Sequence, residues 1–186
     1  MGKIILASSS PRRANILKTL KLDYEIIPSS YAEPHDRTVF SYDFVESLAY
    51  NKALYVAREF KCKDYQVIGA DTIVVVDNKI LGKPHDYAQA QEMLKSLSGR
   101  THFVVTSVAV FNTLDMSYKV KSTTTYVTFN ALTDNQINFY IDNFKPYDKA
   151  GSYGIQELPE GYIKEVNGSL DNVIGLPSET LIELLG

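Results

Sequence analysis

Hydrophobic positions in this chain alternate between short uninterrupted runs and one-sided stripes. The run Ile4-Ile5-Leu6-Ala7 predicts a short buried strand. Ile16, Leu17 and Leu20 then fall on one side of a helix that opens at Pro11 with Ser10 as its N-cap. Residues 24–28 predict a second short strand, stopped by Pro28. The polar stretch 29–41, with Glu33, His35, Asp36 and Arg37, predicts a long loop, and loops of that length often carry function. Val45, Leu48, Ala49, Ala53, Val56 and Phe60 mark the buried stripe of a long helix over 42–60. Lys52 falls inside that stripe, so it either snorkels to the rim or points into a cleft and meets an anion. Residues 67–76 are almost continuously apolar, the pattern of a central strand covered on both faces, and Asp71 interrupts them.

Further on, Asp77-Asn78-Lys79 reads as a tight turn and Gly82-Lys83-Pro84 as a rigid loop presenting one lysine. A helix is predicted over 88–97 with Ala90, Met93, Leu94 and Leu97 inward, ended by Gly99 in a left-handed cap. His102 is placed in the following loop, in a hydrogen-bonding rather than metal-binding role, because no second ligand sits at metal spacing. Residues 103–111 and 118–129 predict two strands joined by a turn at 112–117. A helix over 134–143 buries Ile137, Tyr140 and Ile141, a strand follows at 162–166, 168–177 reads as a structured loop, and a last helix begins near Ser178.

Two features of this pattern carry chemistry. Arg12 and Arg13 stand in the first turn of a helix, where the partial charge is already positive. The conflict disappears if an anion binds there, because free N–H groups, the hydroxyl of Ser8 and its neighbours, and two guanidinium forks suit phosphate. The plainer alternative is a solvated basic turn. The loop lacks the Gly-Lys-Ser/Thr ending of a Walker motif. Asp71, within an apolar strand, needs a cation, a metal or several donors, either as one side of a structural salt bridge or as a catalytic or metal-binding acid.

Composition narrows the classes. The 186 residues suit one domain, and 45% hydrophobic residues suffice for a core. A net charge of −3 disfavours nucleic acid and anionic membranes as partners, so any phosphate site must be a local basic pocket. The single cysteine, Cys62, excludes an internal disulfide and reads as solvent-facing. No stretch reaches membrane-spanning length, and Met1-Gly2-Lys3 runs into the first strand without a signal-peptide layout, so a cytoplasmic protein is expected.

Six motifs occur in order along nearly the whole chain. They are Ala7-Ser8-Ser9-Ser10-Pro11-Arg12-Arg13, Gly69-Ala70-Asp71-Thr72, Gly82-Lys83-Pro84, Ser98-Gly99-Arg100 with His102, Lys149-Ala150-Gly151, and Asp171-Asn172-Val173 with Gly175-Leu176-Pro177. Together they resemble the Maf family of nucleoside triphosphate pyrophosphatases. The resemblance implies an elongated mixed α/β fold, like that of the inosine triphosphate pyrophosphatases, with flanking helices and a cleft between two lobes. It implies hydrolysis of a nucleoside triphosphate to the monophosphate and pyrophosphate with a divalent metal, Mg2+ or Mn2+. Tyr153-Gly154-Ile155-Gln156 is similar to the branch acting on dTTP and UTP. On this resemblance Ser8, Arg12 and Arg13 hold the triphosphate, Thr72 and Gln156 bind substrate, and Lys52 and Lys83 neutralise developing charge. Glu33 and Asp71 hold the metal, and Asp71 is also the candidate general base. The Gln156 amide offers a donor and an acceptor, matching the acceptor and N–H of uracil or thymine. The chain departs from the family pattern at Glu157, where many members have glycine, and at Ala32, which leaves Glu33 as the only acid of a common pair. A homodimer is expected. The alternatives are a non-enzymatic regulator of cell division and a purine-clearing pyrophosphatase of the inosine triphosphate type.

Overall fold

The computed structural model describes residues 2–34 and 37–186; Met1 and the loop positions His35 and Asp36 lie outside the described residues. Three strands of 12 residues dominate: β3 (Tyr65–Val76), β5 (Thr101–Asn112) and β6 (Tyr118–Phe129). At about 3.3 Å per residue each runs roughly 40 Å, which gives the sheet its length. The short strands are β1 (Lys3–Leu6), β2 (Tyr24–Ile26), β4 (Lys79–Leu81) and β7 (Ile163–Asn167). The order across the seven-stranded sheet is β2-β1-β3-β5-β6-β7, with β4 paired to β3. β1 is parallel to β2 and β3, and the other pairs are antiparallel, so the sheet is mixed.

Alternation along β3 sorts the helices. Val67, Ile73 and Val75 face α2 (Tyr42–Ala57), which buries Val45, Ala49 and Ala53 against them. Ile68 and Ala70 face the opposite way, toward α1 (Pro11–Thr19) and α6 (Ser178–Leu185). Val74 and Val76, on that same second face, meet α3 (Tyr87–Leu97) and α4 (Asp134–Phe144). The second face therefore carries two separate helical layers. Where they part, β1 has ended at its pairing with Ile68 and β4 begins only at Val74. The β3 edge between those pairings opens into the cleft.

Three readings of the sequence are corrected. The helix predicted over 42–60 ends at Ala57, and Arg58–Phe60 tightens into a 3-10 turn before the chain reverses at Cys62, whose φ is 65°. His102 lies in β5, not in a loop, because the left-handed Gly99 (φ 68°) lets the strand start at Thr101. The tight turn read at Asp77-Asn78 is present, left-handed at both residues (φ 50° and 61°), the geometry of a two-residue hairpin, and it leads into β4, which the sequence did not show. The loop over 168–177 contains α5 (Leu170–Ile174), a helix too short to show a period, capped by the Ser169 hydroxyl. Cys62 is exposed, as expected.

Candidate active site

The opening loop is built by competing demands on one turn. Ser10 caps α1 by accepting from the Arg13 N–H at 3.5 Å, and Pro11 occupies the first helical position. Ser8 is buried, and its Oγ accepts from the Ser10 N–H and from Arg13 Nη1, both at 3.2 Å. The two arginines then diverge. Arg12 reaches across the cleft to Asp148 Oδ2 at 3.0 Å and is partly exposed. Arg13 turns inward: Nε donates to the Gly175 carbonyl at 2.8 Å and Nη2 to Thr72 Oγ1 at 3.1 Å. Burial lowers the Arg13 pKa from its ordinary value, against the opposing pull of Asp71. Arg13 thus joins β1, β3 and the turn after α5, and the anomalous charge at this helix end is answered partly by protein carbonyl and hydroxyl oxygens.

Thr72 is fixed by the same network. Its Oγ1 lies 2.9 Å from Thr106 Oγ1, and Thr106 is held through its N–H and hydroxyl by Asn172 Oδ1 and the Asn172 carbonyl, at 3.0 and 2.8 Å. The Asp171-Asn172-Val173 motif is therefore a buried brace beneath Thr72.

Asp71 faces α2, and the elements meet closely there. A Cβ on Gly69, two residues earlier on the same face, would fall 2.4 Å from the Ala49 carbonyl oxygen. That close approach brings Lys52 to the edge of the cleft. Lys52 Nζ contacts Asp71 Oδ1 at 2.5 Å and Glu33 Oε1 at 2.8 Å, so one ammonium holds two carboxylates. Of the two sequence alternatives for Lys52, the structure has it meeting anions. Burial pushes the Asp71 carboxyl up from the usual range, against the downward pull of Lys52 and Arg13.

Lys83 is exposed on the loop after β4, and Gln156 is exposed in the turn at 155–157. All these side chains line one cleft of about 860 Å³. Ser8, Arg12, Arg13, Glu33, Lys52, Asp71, Thr72, Lys83 and Gln156 all belong to its lining.

Sequence reasoning assigned no role to Lys149. It is a buried lysine within the cleft lining, 2.7 Å from Asp148 Oδ1 and 3.1 Å from Glu157 Oε2. The signal was Lys149 itself, a charge followed at once by the small residues Ala150-Gly151. His102 Nε2 lies 2.7 Å from Tyr153 Oη, in the hydrogen-bonding role expected of it. Burial lowers the His102 pKa to about 4, so the ring is neutral near pH 7.

Comparison with known proteins matches residues 3–186 to the family model described as Maf-like protein. A dTTP/UTP pyrophosphatase of Clostridium novyi (strain NT) is 44% identical over 187 residues, covering 99% of this chain and 96% of that protein. A dTTP/UTP pyrophosphatase of Acetivibrio thermocellus is 42% identical, covering all of this chain and 94% of the relative. A third protein of that description, from Thermosipho africanus, is 43% identical across 98% of this chain and 92% of its own.

Proposed function

Because the chain belongs to the Maf-like family, we propose that it hydrolyses dTTP and UTP to the monophosphate and pyrophosphate. The observation that carries the reading is the buried Asp71 carboxylate, held by Lys52 in the same cleft as the helix end bearing Arg12.

The triphosphate lies along the N-terminus of α1, where N–H groups, the Ser8 hydroxyl and Arg12 receive its oxygens. Arg12 exchanges Asp148 for a phosphate with little loss, because its present ion pair is exposed. A water attacks the α-phosphorus. Its proton passes to the Asp71 carboxylate, the new P–O bond forms, and the bond from the α-phosphorus to the bridging oxygen breaks. Pyrophosphate departs with that oxygen, and Lys83 meets the charge on it. A carboxyl whose pKa is raised by burial is the better base for this step. Gln156 reads the pyrimidine edge.

The residues fit a hard divalent cation. Glu33 and Asp71 already converge on one cation, and Mg2+ ordinarily takes one or two carboxylates together with substrate phosphates. Among the described residues no group of three or more acids, histidines or cysteines forms a self-sufficient cage, which suits a metal shared with the nucleotide. Glu33 and Asp71 would hold Mg2+ or Mn2+, which would supply charge neutralisation at the phosphates.

A panel of nucleoside triphosphates, with pyrophosphate and phosphate measured separately, tests the reading. dTTP and UTP should yield monophosphate and pyrophosphate, and a chelator should stop the reaction. Release of the γ-phosphate alone, or no turnover of any nucleotide, overturns the assignment; faster turnover of purine nucleotides overturns the substrate.

A further inference from the structure

The turn carrying Gln156 is the least self-evident part of this site. A primary amide is acceptor on one side and donor on the other. Uracil and thymine present a carbonyl beside an N–H, whereas cytosine presents an amino group beside an unprotonated nitrogen. An amide turned over therefore satisfies cytosine as well. Discrimination depends on holding the amide at one distance and in one plane, so that only one orientation meets the base edge.

The holding groups lie around Gln156 rather than on it. The Gly154 N–H donates to Tyr140 Oη at 2.9 Å, and the Glu157 N–H donates to the Gly154 carbonyl at 2.9 Å. Beneath the turn runs the Lys149 side chain, only 8% exposed. Gly154 is pressed against it so closely that a Cβ there would fall 2.9 Å from Lys149 Cε. Glu157 closes the arrangement: its Oε2 is buried, has no aligned hydrogen-bond donor, and lies 3.1 Å from Lys149 Nζ as an ion pair. The other partner of Lys149 is Asp148, which is 60% exposed and shared with Arg12. Four charges of alternating sign, Arg12, Asp148, Lys149 and Glu157, thus run from the phosphate-binding helix end to the base-reading turn. A buried ammonium needs its counter-charge, so Lys149 draws Glu157, and with it the turn, to one place.

We propose that Glu157 is a positioning residue for pyrimidine selection, acting through its ion pair with the buried Lys149 to hold Gln156 against the base edge. The inference rests on the reading of the cleft as a dTTP/UTP pyrophosphatase site. Glu157 touches no reacting atom, and its effect belongs to binding and selectivity rather than to the chemical step.

Steady-state kinetics with UTP, dTTP and CTP on Glu157→Gln, with melting temperature measured in parallel, decide it. KM for UTP should rise about tenfold while kcat stays within about twofold, the signature of lost binding rather than lost chemistry. The preference in kcat/KM for UTP over CTP should fall at least about fivefold, and Glu157→Asp should restore part of it. Lys149→Met combined with Glu157→Gln should be no less selective than Glu157→Gln alone, because the two act as one unit. If Lys149→Met does not fold, Glu157→Gln alone decides. An unchanged UTP-to-CTP preference overturns the proposal, as does an equal fall in kcat for every nucleotide. Failure of the underlying reading appears earlier, in the unsubstituted protein: no pyrophosphate release, or equal handling of UTP and CTP, removes both.

Discussion

Asp71 is held in an unfavourable place by favourable neighbours. Burial disfavours its charge, and Lys52 and Arg13 restore part of what burial removes. Asp71→Asn keeps the shape and removes the charge. Turnover should fall at least about 100-fold, the scale of a lost general base. Thermal stability should stay level or rise, because Lys52 keeps Glu33 as a partner and a disfavoured buried anion is gone. A destabilised variant that still turns over nucleotide would show instead that Asp71 only anchors Lys52. The pH dependence has a defined sign. With its native pKa above the unfolded value near 3.9, the native protein binds more protons between the two values, and this group's contribution to stability declines as pH rises through that window. Activity moves the other way, because the base must be ionised. kcat/KM should therefore fall on the acid side as the carboxylate protonates, and a profile with no acid limb would contradict the assignment.

At the scale of elements, the contact between α2 and β3 decides whether that pairing exists. Gly69 admits the helix backbone, and a Cβ there meets Ala49 O at 2.4 Å and Ala53 N at 2.6 Å. Neither is a flexible side chain that could yield. Gly69→Ala should cost about 1–3 kcal/mol by overpacking. It should also reduce turnover by moving Lys52 away from Asp71. Thermal unfolding and pyrophosphate release read both effects, and an unchanged melting temperature would mean that the helix is not locked to the strand. This contact also shows how far the sequence reaches. The stripe of α2 was legible because Val45, Leu48, Ala49, Ala53 and Val56 repeat at helical spacing, and Asp71 was legible because it breaks an apolar run. The cost of removing Arg13 was not. As a cation at a helix N-terminus it looks dispensable to the free protein, yet it bonds Gly175, Ser8 and Thr72, and the loss of such a tie should destabilise the fold. Its partners Gly175 and Thr72 are remote in sequence, and only the fold brings them together. β4 and α5 escaped because three and five residues are too few to show a period.

Across the whole molecule, the cleft opens along the edge of β3 that neither β1 nor β4 covers. β3, β5 and β6 pair antiparallel along most of their length, whereas β1 contributes only a short parallel pairing to β3 that must be closed across the whole of α1, β2 and α2. Closing such a long segment is entropically costly and therefore slow, and β1 is held in the sheet by pairings of only three and four residues. Ser8 and the arginine-bearing helix hang from β1, while Asp71 and Thr72 belong to β3. Catalytic competence is therefore assembled late in refolding and surrendered early on heating. On a temperature ramp, loss of pyrophosphatase activity should precede the main loss of far-ultraviolet circular dichroism, and on refolding ellipticity should return before activity. If the two signals coincide in both directions, β1 is as firmly seated as the strands beside it, and the molecule gives up its shape and its chemistry in a single step.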